Sequence, residues 1–184
     1  IKIHLSSEVF FLQNLSKMVD NPLLTIGNGK YMLVEFSVNI VPFGYEEEFY
    51  ELQLKGVTPI IAHPERYRFV QKKVDILKKW IDTGYIIQVD AGSIRGDFGE
   101  KIKNITMEMV DKGYVHLIGS DAHNNKNRNF CLKKTYDILE NRQSIDYVNV
   151  LKSNSIRLLK GENLNTVKNY SEKILNINEV QIQG

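Results

Sequence analysis

The chain is 184 residues long, 42% hydrophobic and 25% charged, the make-up of one ordinary globular domain with enough residues to bury a core. Its 24 basic and 22 acidic residues leave a net charge of +2, spread along the chain, which excludes the electrostatic footprint of a nucleic-acid binder. No apolar run reaches the ~18 residues of a membrane span and no signal-peptide pattern opens the chain, while the lone Cys131 rules out an internal disulfide, so a reducing cytoplasm is expected.

In chain order, short β-rich runs alternate with longer amphipathic stretches, the pattern of a parallel α/β protein. The predicted strands are Ile1 to Leu5, Tyr31 to Ser37, Thr58 to Ala62, Tyr85 to Val89 and Val115 to Gly119, near-continuously apolar as strands covered on both faces should be. The first of them opens the sequence without a methionine, so further residues are expected upstream. Helices are predicted over Glu46 to Lys55, Val74 to Thr83 and Lys101 to Lys112, each followed by a glycine (Gly56, Gly84, Gly113) where a left-handed C-cap is wanted. Helices over Arg128 to Asn141, Ile145 to Lys152 and briefly Ile156 to Leu159 complete a domain of residues 1–162, and residues 163–184 read as a weakly structured C-terminal tail.

Parallel α/β barrels carry their active sites at the C-terminal ends of the strands. The residues at those ends are Glu8, Glu35, His63, Asp90, and Asp121 with His123. Glu35 is the sharpest, because it interrupts the apolar run Met32-Leu33-Val34-Glu35-Phe36, where a lone charge costs several kcal/mol unless compensated. Any one of these residues is explained by capping or a structural hydrogen bond; five or six at one level point to a divalent metal site. Mixed oxygen and nitrogen donors without a thiolate suit Mn²⁺, Fe²⁺ or Zn²⁺ and disfavour calcium. Arg66 and Arg128 follow two of these positions closely and are placed to hold a phosphate ester. His4 and His116 are read as structural, and Asp90 as a turn-starting residue behind the ligands.

Three segments, Tyr31-Met32-Leu33-Val34-Glu35-Phe36-Ser37, Gln53 to Tyr67 containing Ala62-His63-Pro64-Glu65-Arg66, and Gly119-Ser120-Asp121-Ala122-His123-Asn124, resemble the tyrosine phosphatases of bacterial capsule and exopolysaccharide synthesis. These form a branch of the polymerase and histidinol phosphatase (PHP) superfamily, and the similarity runs from about Ser7 to Lys160. The resemblance implies a distorted (β/α)₇ TIM-like barrel with a trinuclear centre of manganese or iron, sometimes zinc. It implies metal ligation by Glu8, Glu35, His63, Asp121 and His123, and phosphate binding by Arg66 and Arg128, which serve as both catalytic and substrate-binding residues.

One departure is large. The family's opening Asp-x-His-x-His strand has no counterpart here, since Ile3-His4-Leu5 offers one imidazole, so the barrel lacks its N-terminal strands and two of the three metals lack ligands. Roughly 60 upstream residues would restore the ~250 of such a barrel; failing that, a partner closes it. The expected activity is metal-dependent hydrolysis of phosphotyrosine on the tail of a bacterial tyrosine kinase, with a tendency to homo-oligomerise. A small-molecule phosphatase of the histidinol-phosphatase type, and a truncated, non-catalytic metal- or kinase-binding module, are the alternatives.

Overall fold

The computed structural model describes residues 2–126 and 128–165; the predicted tail beyond lies almost entirely outside them. Five strands, β1 (Glu8–Phe10), β2 (Tyr31–Glu35), β3 (Thr58–Ala62), β4 (Ile86–Asp90) and β5 (Leu117–Gly119), form one parallel sheet in sequence order, with β1 and β5 at its edges. The helices are α1 (Tyr45–Leu54), α2 (Arg68–Lys72), α3 (Ile76–Asp82), α4 (Ala91–Arg95), α5 (Glu100–Asp111), α6 (Leu132–Arg142) and α7 (Ile145–Lys160). Among the described residues no helix is long and apolar enough to cross a membrane.

Side chains alternate across a strand, and here the alternation separates packing from chemistry. Val9, Met32, Val34, Ile61, Ile87, Val89 and Ile118 face the large core shared with helix residues such as Phe49, Leu77, Val110 and Leu151. The opposite face carries the smaller cluster of Tyr31, Ile60 and Leu117, with Leu33, Ile86 and Leu158 against it. Counting by twos from Leu33, Ile86 and Leu117 along that second face leads to Glu35, Asp90 and Gly119 at the strand ends, and Glu8 pairs in register with Leu33. Polar groups at the C-terminal ends therefore point away from the helix-covered core.

The end of β2 is fixed by aromatic packing. Phe36, fully buried, meets Tyr45, Phe11, Phe49, Tyr67 and Trp80 with ring centroids 5.4 to 6.0 Å apart. The Tyr67 hydroxyl accepts a hydrogen bond from the Phe36 amide at 2.8 Å and donates to the Ala62 carbonyl at 2.7 Å. One buried phenol thus clips the end of β2 to the end of β3, one residue from Glu35 and one from His63. Its pKa is driven far up, first by burial, so it stays a neutral donor.

Several expectations are corrected. The first strand is Glu8–Phe10, not Ile1 to Leu5: residues 2–7 have no regular structure, and Ile3 and Leu5 are 85% and 78% exposed. Alternation made that run look like a strand, but pairing with β2 begins only at Glu8. His4 is exposed and supports no core, whereas His116 is buried, accepts from the Ile87 amide at 3.2 Å and is pushed down to about 4 by burial, so it is structural. The penultimate helix starts at Leu132, after an irregular stretch. The last two predicted helices are one, α7, because the polar Ser153-Asn154-Ser155 break is internal: Asn154 is fully buried and donates to the His116 carbonyl at 3.0 Å. The glycine caps hold, with Gly56 and Gly113 at φ 78 and 69.

Tyr67→Phe keeps the ring and strands two buried groups, the Phe36 amide and the Ala62 carbonyl. It should lower unfolding stability by about 2 to 3 kcal/mol in urea melts; a change within error would remove the clip from the description of the fold.

Candidate metal centre

Glu8, Glu35 and His63 each offer a ligand atom, and the three atoms lie within 4.8 Å of one another. His63 Nε2 is 3.0 Å from Glu8 Oε1 and 3.5 Å from Glu35 Oε1. The imidazole is 3% exposed, while the carboxylate side chains are about one-third exposed at the mouth. Burial raises the Glu35 pKa. Burial pulls His63 down, but the Glu8 hydrogen bond and the Glu65 and Glu8 charges outweigh it and leave His63 raised. Two carboxylates and the imidazole Nε2 converging on a common point suit a divalent cation. The donor set present fits a metal ion.

The backbone is bent to make this arrangement. His63 and Asp121 have φ of 30 and 45, a left-handed conformation uncommon for residues with a side chain and concentrated at functional sites. His63 leaves β3 into a 3₁₀ turn, Pro64–Arg66; Asp121 follows β5 by two residues.

Asp121 anchors a second group. Arg66 donates to its carboxylate at 3.2 Å and Arg128 makes a short hydrogen bond to the same oxygen. Arg66 also lies 3.9 Å from Asp90 and stacks on Phe98 at 5.1 Å. Each guanidinium has five donors, so both keep N–H groups beyond those spent on Asp121; Arg128 Nε is buried with no partner at all. His123, 56% exposed in its side chain, places Nδ1 2.8 Å from the Asp121 carbonyl and 3.4 Å from its carboxylate. The structure therefore gathers Glu8, Glu35 and His63 into one cluster and Arg66, Asp121 and Arg128 into a neighbouring one, with the exposed His123 ring at the edge of the second, 3.4 Å from the Asp121 carboxylate.

Glu65 was missed by sequence reasoning. It is fully buried, accepts from the Asp90 amide at 2.9 Å, and burial raises its pKa to about 7. Nothing in Pro64-Glu65-Arg66 distinguishes it from a solvated turn glutamate; only its place beside a candidate ligand was a signal. Asp90 behaves as expected, capping α4 through the Gly92 amide at 2.9 Å, with burial raising it to about 6.

Because Glu65 titrates near 7 when folded and near its ordinary 4.5 when unfolded, it supports the fold while protonated in both states. That support is fully present below 4.5 and is lost as pH rises through about 7. In chelator-treated protein, Glu65→Gln should remove roughly 3 kcal/mol of the loss of stability between pH 4.5 and 7; parallel wild-type and variant profiles would contradict this.

Comparison with known proteins agrees with this geometry. Residues 1–160 match the family described as capsular polysaccharide synthesis, CpsB/CapC. The chain is 36% identical over 152 residues to the tyrosine-protein phosphatase YwqE of Bacillus subtilis, covering 83% of this chain and 59% of that protein. It is 35% identical over 138 residues to the putative tyrosine-protein phosphatase CapC of Staphylococcus aureus, covering 74% and 54%. A solved structure from work on YwqE of Bacillus subtilis and CpsB of Streptococcus pneumoniae, described as unique metal-dependent tyrosine phosphatases, superposes with a TM-score of 0.82 at 32% identity, over 88% of this chain and 66% of that one. The chain thus spans somewhat more than half the length of the relatives it matches. With the three motifs, the parallel sheet and the carboxylate and imidazole cluster in agreement, the chain belongs to the CpsB/CapC family of capsular polysaccharide synthesis, within the PHP superfamily.

Proposed function

We propose that this chain carries the phosphate-binding part and one metal site of a metal-dependent protein-tyrosine phosphatase of capsule or exopolysaccharide synthesis. The observation that carries the reading is the convergence of Glu8, Glu35 and His63 within 4.8 Å, beside two arginines held on Asp121. Similarity to proteins named tyrosine-protein phosphatases supports the substrate class, and a phosphotyrosine-bearing tail of a capsule-associated tyrosine kinase is the proposed partner.

In this reading Glu8, Glu35 and His63 would hold one divalent ion, manganese or iron in preference to zinc, and in a complete (β/α)₇ barrel Asp121 would be a ligand of a first ion and His123 of a third. A bound ion supplies Lewis acidity that activates water and offsets charge on the phosphoryl oxygens. The chain's own residues do the rest. Arg66 and Arg128 receive the phosphate oxygens through the donors not used on Asp121, and bidentate geometry fixes the ester in line with the incoming water. Asp121 aims both guanidiniums, and Phe98 supports the Arg66 plane. The buried Cys131, whose pKa is raised first by burial, is a poor nucleophile.

Two measurements test the reading. Titration calorimetry should show Mn²⁺ bound by the purified protein, with Glu35→Ala weakening it at least about tenfold; unaltered affinity would remove Glu35 from the site. Phosphotyrosine-peptide hydrolysis should require added metal and stop with chelator, with Arg66→Ala and Arg128→Ala each lowering kcat/KM about tenfold or more. Turnover that survives chelation and disappears on alkylating Cys131 would overturn the proposal.

A further inference from the structure

Beside the arginine pair lies a second basic feature that phosphate-ester binding at Arg66 and Arg128 does not use. A cavity of about 380 Å³ is lined by Arg95, Lys126, Asn129, Phe130, Cys131, Lys133 and Lys134. It sits at the same C-terminal end of the sheet as the metal centre: Arg95 ends α4, which begins at the tip of β4, and the other lining residues belong to the segment that follows β5. Lys126 and Phe130 each stand two residues from Arg128, at most ~7 Å of chain.

The charge of this cavity is lopsided. Arg95 pairs with Asp97 at 3.4 Å, but the ion-paired lysines among the described residues are Lys78, Lys79, Lys103, Lys112 and Lys160. Lys126, Lys133 and Lys134 are exposed and have no carboxylate partner among the described residues. Lys133 and Lys134 also occupy the first turn of α6, which holds no acidic residue and whose start has no side-chain cap. Cations there face the positive end of the helix dipole, so local stability does not explain them. Three ammonium groups without a carboxylate partner among the described residues thus line a cavity close in the chain to Arg128.

We infer that this cavity is a specificity subsite that receives an anionic side chain, carboxylate or phosphate, two to four residues from the phosphotyrosine in an extended substrate peptide. The inference rests on the phosphotyrosine-phosphatase reading and adds which peptides are preferred. At ~3.3 Å per residue an extended peptide with its phosphotyrosine against Arg128 carries the neighbouring side chains across the cavity. The exposed face of Phe130, 81% accessible, offers an apolar wall for the backbone between the two anions.

The test uses fluorescent peptides bearing a non-hydrolysable phosphotyrosine mimic, with glutamate, a second mimic, or glutamine at the positions two to four residues away on either side. Fluorescence anisotropy with the Mn²⁺-loaded protein should show the anionic peptides binding about tenfold tighter than the glutamine peptide at low salt, with the preference shrinking as salt rises. The Lys133→Gln/Lys134→Gln double variant, in which Arg66 and Arg128 are intact, should abolish the preference and leave turnover of para-nitrophenyl phosphate unchanged. Comparing the glutamate and phosphate-mimic peptides tells which anion fits better. Equal binding of anionic and neutral peptides, absence of binding by any peptide, or equal weakening of all of them in the variant would overturn the subsite. Failure to turn over para-nitrophenyl phosphate, by contrast, counts against the phosphatase reading while leaving the peptide preference to be read on its own.

Discussion

Two carboxylates and an imidazole brought within 4.8 Å of one another form an arrangement that like-charge repulsion opposes. A folded chain keeps such groups together only by holding their backbones rigidly, and a cation among them offsets the repulsion. Glu8 opens β1, Glu35 closes β2 and His63 directly follows β3, three consecutive, mutually paired strands, so the sheet sets their spacing. The Tyr67 hydroxyl then ties β2 to β3 one residue from Glu35 and His63, and Phe36 seats the same point in an aromatic cluster. The strained φ of His63 is the local consequence of turning an imidazole out of a strand toward its partners.

Around this cluster the charges are layered. Asp121 takes hydrogen bonds from two guanidiniums, which keeps a pair of positive groups pointed at the mouth without their folding onto Glu8 and Glu35. Behind them Glu65 and Asp90 are buried and raised in pKa by desolvation. They act through hydrogen bonds to backbone amides, Glu65 on Asp90 and Asp90 on Gly92. The end of β4 is thereby organised by acids that burial pushes toward their neutral form, whereas Glu8 on β1 and Glu35 on β2 stand partly exposed at the mouth. Apolar packing, strand alternation and selective burial together place reactive groups on one face and structural ones on the other.

Much of this was legible in the amino-acid order. Thr58–Ala62 was bounded correctly because four of its five residues are apolar and a glycine-capped helix precedes it, and Glu35 stood out as a charge inside an apolar run. What failed depended on distant partners. Ile1 to Leu5 alternates as well as a strand does, but only Glu8–Phe10 finds a register against β2. Ser153-Asn154-Ser155 reads as a helix break until Asn154 is seen to bond the His116 carbonyl across the fold. Glu65 is polar in a polar turn, and its burial follows from packing that no local pattern encodes. The family motifs supplied ligand roles that strand-end position alone left open, and the geometry gathers three of those five residues directly.

A divalent ion on Glu8, Glu35 and His63 is the claim on which the functional reading turns. Crystals of the protein grown with Mn²⁺ or Zn²⁺ and measured at the metal absorption edge test it most directly. The expected result is an anomalous difference peak about 2.0 to 2.2 Å from His63 Nε2 and from an oxygen of each carboxylate. No peak at that point, with His63 Nε2 still hydrogen-bonded to Glu8, would contradict it.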